Sequence, residues 1–257
     1  MPDTRDWRAV FDRTFAGPVS AVHARAWQQV YGEEYPAELD TYSYVTRSEL
    51  RDLATELGAG PGDLVLDAGC GRGGPGLWVA AETGASLVGI DIAPSAVAGA
   101  RDRAARIGLA AVTTYRVGTF EATGLDPGSC TAAMSIDALL FTPDKALALH
   151  ELARVLRPGG RLVFTSWDYH AQPVGRPPQV DDHRPLLSAA GFDVLRYEET
   201  ANWRTHLRRS SALLLDAVDE LAAETGESPE VIRSQLEEMA ATEAAMSRRV
   251  LVVARRG

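Results

Sequence analysis

The chain is nearly without lysine. Lys145 stands alone, and the other 25 of its 26 basic residues are arginines. Arginine has many GC-rich codons and lysine has none, so this skew speaks to the coding genome and not to chemistry. Cysteine is equally scarce. Cys70 and Cys130 supply neither a disulfide framework nor a metal box, and no other metal-ligand spacing occurs, so no metal is expected. No apolar run reaches the roughly 18 residues that span a bilayer. Met1 to Arg8 are too polar for a secretory leader. These absences lead to the expectation of a soluble, cytoplasmic protein with no membrane contact. Positive charge is also short: 35 acidic residues face 26 basic ones, a net charge of −9. Nucleic-acid binding needs cations to displace phosphate counterions, so no nucleic-acid partner is expected. The local cluster Arg204, Arg208 and Arg209 reads as a solvated helix face.

What is present is a 257-residue chain, 46% hydrophobic. That suffices for one large α/β domain with a helical elaboration. Asp3 to Leu57 read as helical, with apolar positions at helical spacing in Val19–Val30 and Ser48–Leu57 around an aromatic, turn-rich stretch. The pattern then changes. Short apolar runs at Leu64–Leu66, Ser86–Ile90, Val112–Val117, Thr131–Ile136, Arg161–Ser166, Val194–Glu198 and Val250–Val253 read as seven strands. Helical runs at Leu77–Thr83, Ser95–Ile107, Pro143–Leu156 and Asp182–Ala190 separate most of them, and Pro158-Gly159-Gly160 reads as a turn. Two more helical runs, Ser211–Thr225 and Pro229–Met246, precede the last strand. Alternating strands and helices imply parallel pairing with right-handed crossovers. The expectation is therefore a doubly wound, Rossmann-like α/β fold: a helical N-terminal lid (1–60), a core (61–200), a helical insertion serving as a substrate lid (201–247) and a last core strand (248–257).

In such sheets ligands bind at the carboxyl ends of strands, beside the switch point. Asp67, Asp91, Gly118, Asp137 and Ser166 all fall at those ends. The segment Asp67-Ala68-Gly69-Cys70-Gly71-Arg72-Gly73-Gly74 is a glycine loop, able to bring backbone N–H groups and a helix N-terminus against a ligand. It fits both G-x-G-x-x-G and G-x-G-x-G spacing. Asp91 follows Asp67 by 24 positions, at the end of the next strand, where an acid can accept from two ribose hydroxyls. To this point NAD and S-adenosylmethionine are tied. Three features separate them. Asp67 stands where an acid suits a cationic amino-acid moiety and would repel a pyrophosphate. Some sixty residues precede the loop as a lid would. The element Glu151 to Val163, with its Pro-Gly-Gly turn, closes the half-sheet.

With these motifs in place, the chain resembles the class I S-adenosylmethionine-dependent methyltransferases over roughly Gly62 to Trp167. Leu64 to Gly71 is similar to that family's first motif, Val88 to Ile92 to its second, and Arg154 to Val163 to its late motif. Tyr31 to Leu53 looks like the lid of small-molecule methyltransferases, including those of natural-product pathways. The resemblance implies S-adenosylmethionine as cofactor and S-adenosylhomocysteine as product. It implies that Asp67, Gly69, Cys70 and Gly71 meet the methionyl part, Asp91 the ribose, Ile92 the adenine face, and Thr119 and Phe120 the adenine edge. Relatives commonly carry an acid after Gly118, and this chain has Thr119, so Thr119 or Glu121 takes the amino group. Ser135 and Asp137 would meet the methionyl group and the substrate mouth.

Methyl transfer is an in-line displacement in which alignment does much of the work, and a base is needed only for an acceptor that holds its proton. His170, just past the fifth strand, is the first candidate base, with Asp137 the second. Tyr31, Tyr35, Tyr42, Tyr44, Trp167, Tyr169 and Trp203 are candidates for the wall of an apolar substrate pocket. The expected partner is a small, partly apolar molecule with an O, N or C acceptor, and the oligomeric state is left open. The rival readings are a relative that uses the same cofactor for cyclisation, rearrangement or elimination, an NAD-dependent oxidoreductase, and a silent binding module.

Overall fold

Residues 5–257 are described in a computed structural model. Met1 to Thr4, including Asp3 at the head of the expected helical segment, lie outside the described residues. Three helices come first: α1 (Trp7–Ala16), α2 (Ala21–Tyr31) and α3 (Arg47–Leu57). Each start is set by a side chain. Asp6, Ser20 and Thr46 accept from backbone N–H groups of the first turn, and Thr46 with Glu49 completes a capping box. The alternating core follows as β1 (Leu64–Ala68), α4 (Gly74–Thr83), β2 (Ser86–Asp91), α5 (Pro94–Arg106), β3 (Thr113–Val117), β4 (Cys130–Ile136), α6 (Lys145–Val155), β5 (Leu156–Tyr169), α7 (Arg184–Ala189) and β6 (Phe192–Glu199). Then come α8 (Trp203–Asp216), α9 (Val218–Thr225), α10 (Pro229–Ala244) and β7 (Met246–Arg256).

The strands form one seven-stranded sheet in the order β3-β2-β1-β4-β5-β7-β6. β1 to β5 pair in parallel, and the order reverses between β1 and β4. That places the switch point where the glycine loop leaves β1. The expected parallel pairing fails for the final strand, since β7 runs antiparallel to both β5 and β6. The helical excursion after β6 does not cross the sheet. It brings the chain back at the edge where β6 stopped, and from there the strand can only run the other way.

Other differences are local. β5 takes in Pro158 to Gly160 through an irregular register with β4, so the expected turn is part of an extended strand. The helical run Ser211–Thr225 breaks at Ala217 into α8 and α9. α10 ends at Ala244, and β7 is correspondingly longer.

Apolar layers cover both faces of the sheet. Leu53, Leu57, Leu77 and Val97 pack on one, and Leu149, Leu152, Phe164 and Leu187 on the other. Each such side chain contributes roughly 1.5–3 kcal/mol on burial. A separate cluster joins Val22 and Ala26 of α2 to Leu214, Leu221 and Leu236 of the helices before β7. The N-terminal helices and the inserted helices thus share one small core above the sheet edge.

Candidate active site

The loop between β1 and α4 is shaped by its glycines. Gly69, Gly71 and Gly73 have φ of 75°, 51° and 78°, values that side chains disfavour. A Cβ on Gly69 would come within 2.5 Å of the Ala138 methyl. The N–H groups of Gly69 and Cys70 both donate to the Ile90 carbonyl at 2.9 Å, tying the loop to the end of β2. Asp91 completes the brace: its carboxylate accepts from Gly71 N at 2.8 Å and Ala93 N at 2.9 Å. Burial raises the Asp91 pKa, and these backbone donors pull it back.

Asp67 is 2% exposed, and its Oδ2 has no hydrogen-bond partner among the described residues. Burial, helped by the nearby charge of Asp91, pushes its pKa up to about 7. An orphaned carboxylate oxygen of this kind calls for a donor. Cys70 is also buried, which holds its thiol protonated and inert.

These residues line one wall of a cleft with about 1140 Å³ of space, its open mouth included. Ile92, Thr119, Phe120, Glu121 and Asp137 lie on the same lining. Glu121 accepts from the Thr142 hydroxyl, whereas no side-chain hydrogen bond engages Thr119 among the described residues. The opposite wall is aromatic. α1 presents Trp7, Phe11 and Phe15, joined by Phe141 and Tyr42. Phe11 and Phe141 pack edge to face at 4.8 Å. No residue of α1 is buried, so this aromatic face looks into the cleft. The helix is held by Ser95, whose N–H and hydroxyl donate to Asp12, and by Arg72, which donates to the Phe15 and Gly17 carbonyls.

Several expected residues are not brought to the cleft. His170 is exposed, and its N–H donates to the Ala245 carbonyl. β5 runs on to Tyr169, which carries the next residue past the edge into solvent. Ser135 is buried away from the lining, because alternate residues of β4 face opposite sides and Ile136 takes the cleft side. Tyr31, Tyr44, Trp167 and Trp203 surround a second, smaller cavity of about 260 Å³ together with Arg249. Tyr35 packs with Val30 and Tyr31. Tyr169 is buried beside Trp167 and Trp203. Of the seven aromatics expected to wall the substrate pocket, Tyr42 alone is on the main cleft, whereas Phe120, expected at the adenine edge, is also on its lining. The α1 stripe had a readable signal, aromatics at i, i+4 and i+8.

Asp137 lines the cleft but is fully engaged. It adopts φ 50° and accepts from Thr165 Oγ1 at 2.7 Å, Tyr44 N at 2.9 Å, and Arg249 Nε and Nη2 at 3.1 Å each. Arg249, 2% exposed, also donates to Glu49 at 2.7 Å and Thr200 at 3.2 Å. This buried network reaches from β7 through the end of β4 to α3. It fixes segment 40–46, whose residues 40–43 wall the cleft.

Fold and cleft define a doubly wound protein built to hold an adenosine cofactor at the switch point. The glycine cradle and the orphaned Asp67 oxygen fit the backbone approach and the amino group of S-adenosylmethionine. Residues 66–164 match a family model described as a methyltransferase domain. Methyltransferase GfsG of Streptomyces halstedii is 27% identical over 75% of this chain and 74% of its own. O-methyltransferase cnsE of Penicillium expansum is 29% identical over 85% and 80%. Among solved structures, the [4+2]-cyclase SpnF superposes with a TM-score of 0.75 at 21% identity, covering 100% of this chain and 97% of its own. Complexes with S-adenosylmethionine and with S-adenosylhomocysteine occur among the similar folds. The chain is thus similar in sequence and in fold to methyltransferases, and residues 66–164 carry the match to the methyltransferase domain.

Proposed function

We propose that the enzyme methylates a small, partly apolar molecule in bacterial secondary metabolism, and that the main cleft takes both cofactor and acceptor. The observation that carries this is the cleft itself, polar and glycine-lined on the β1–β2 side and aromatic on the α1 side. In this reading Asp91 holds the ribose, Asp67 the amino group, Ile92 and Phe120 the adenine, and Thr119 or Glu121 its amino edge. Phe11, Phe141 and Tyr42 press the acceptor toward the reacting carbon. The bound cofactor supplies an activated methyl group, and the chain supplies alignment and exclusion of water.

None of the five histidines lines the cleft among the described residues. Asp137 is committed to Arg249, so its role is to position the lid. An acceptor that arrives ionised, or needs no deprotonation, suits such a site. In this reading the enzyme is cytoplasmic; the net charge of −9 supports the absence of nucleic-acid partners, and among the described residues no helix is long and apolar enough to cross a membrane.

Incubation with S-adenosylmethionine and a library of small aromatic and polyketide-like molecules, followed by mass spectrometry, tests the reading. A product heavier by one methylene, together with S-adenosylhomocysteine, supports it. A rearranged product of unchanged mass with the cofactor intact would instead favour non-methylating chemistry, the second reading. That alternative draws on the likeness in fold to a [4+2]-cyclase and on a cleft lining without histidine among the described residues.

A further inference from the structure

One cation at the aromatic end of the cleft has no task in the reading above. Arg176, in the segment between β5 and α7, is half-buried. Its guanidinium carbon stands 5.0 Å from the centroid of the Trp7 ring and 5.8 Å from that of Phe141. Both rings line the cleft. Aromatic faces hold a guanidinium by its charge but satisfy none of its in-plane N–H groups. Its side chain makes a single hydrogen bond among the described residues, from Nε to Thr242 Oγ1 at a long 3.4 Å. Both Nη groups are uncommitted. Arg5 makes the contrast. It stacks on the same Trp7 ring at 5.1 Å, yet is paired with Glu238 at 2.7 Å.

The groups around Arg176 point the same way. Its charge acts on the hydroxyls of Tyr42 and Tyr169, lowering pKa values that burial raises. Tyr169 is 3% exposed, and its hydroxyl has no partner among the described residues. Tyr42 is 63% exposed although protein surrounds it, because its free surface faces the cleft. The neighbouring acids are answered elsewhere, Asp137 by Arg249, Glu238 by Arg5, and Glu243 by the Ser211 hydroxyl. A cation therefore stands against two rings of the apolar chamber without a counter-ion among the described residues.

We propose that Arg176, with Tyr42 of the cleft wall, is the recognition site for a carboxylate on an otherwise apolar acceptor. The proposal rests on the reading of the cleft as the cofactor and acceptor site. A guanidinium fork matches the two oxygens of a carboxylate. The aromatic walls take the apolar body, and the Tyr42 hydroxyl donates to an oxygen lone pair that Arg176 leaves free. The site selects an anion without needing a base, which agrees with a cleft that has no histidine.

Calorimetry on the full chain tests this in two stages. Titration with S-adenosylhomocysteine comes first; no binding by the wild type overturns the cleft reading itself. The protein loaded with S-adenosylhomocysteine is then titrated with 2-naphthoate and with 2-naphthalenemethanol, which share a body and differ in charge. The acid is expected to bind about ten-fold or more tightly than the alcohol. Arg176→Gln should erase that preference while leaving the melting temperature and the S-adenosylhomocysteine affinity unchanged. Tyr42→Phe should weaken the acid about three-fold and the alcohol not at all. The proposal is overturned if the alcohol binds as tightly as the acid, if neither binds, or if the preference survives Arg176→Gln.

Discussion

Arg249 is the residue on which most else depends. Its guanidinium is buried and answers two carboxylates, Glu49 from the N-terminal helices and Asp137 from the middle of the chain. Removing one partner from such a network costs far more than the network contributes, because the remaining charges are left unpaired in a dry interior. Arg249→Met is therefore expected to lose about 3–5 kcal/mol of stability, measured by urea denaturation. Whatever folds should bind S-adenosylhomocysteine more weakly, since segment 40–46 loses its anchor. Asp67 gives a second prediction. Its pKa stands raised to about 7, against 3.8 when unburied. The buried site favours the protonated form, so this contribution to the stability of the cofactor-free protein is full below about pH 4 and lost as pH rises through about 7. Binding of a cationic amino group favours the ionised form instead. Affinity for S-adenosylmethionine should rise with pH up to about 7, by as much as ten-fold per unit, and Asp67→Asn should flatten the profile. An unchanged slope in that variant would remove Asp67 from the amino-group site. Asp67 and Asp91 were legible in the sequence because the loop and the strand end that carry them are set by local spacing. Arg249 was not, since its partners lie 112 and 200 positions away.

Among the elements, α1 has the clearest division between stability and function. It buries no residue, yet its aromatic stripe roofs the cleft. Phe15→Ala, whose ring lies over Gly71 of the cofactor loop, should leave the melting temperature nearly unchanged and raise the dissociation constant for S-adenosylhomocysteine about ten-fold, ~1.4 kcal/mol. A large fall in melting temperature with unchanged affinity would reverse that assignment. The aromatics Tyr31, Trp167 and Trp203 show why sequence could not rank such residues. They sit on α2, β5 and α8, none of which contributes to the cleft lining, and they close a second cavity instead because of packing between α2 and α8, a long-range matter. Element direction has the same limit. The pattern after β6 announces helices and then a strand, and nothing in it says that the strand returns antiparallel. The first five strands were readable because a parallel β-α-β unit admits essentially one handedness.

For the whole molecule, the cofactor should act as a stabiliser through mass action. At one hundred times its dissociation constant a ligand that binds only the folded state adds about 2.7 kcal/mol. For a chain of this size that corresponds to a rise in melting temperature of about 5–10 °C. S-adenosylmethionine should give this shift in thermal scanning, and NAD at the same concentration should give none. Equal shifts would contradict the assignment of Asp67 as an acid set against pyrophosphate.

The order of strands has a further consequence, for the time course of synthesis. β6 is made before β7 but lies outside it, so while the ribosome is still producing α8 to α10, β6 has no neighbour in the sheet. The first five strands can pair as they emerge. The outer strand must wait for β7 to enter the gap, and β7 also carries Arg249. The anchor for the lid over the cleft thus arrives with the last strand to be threaded. A nascent chain stalled before Met246 should expose an unfinished sheet edge and hold no cofactor, and would be a natural client for chaperones.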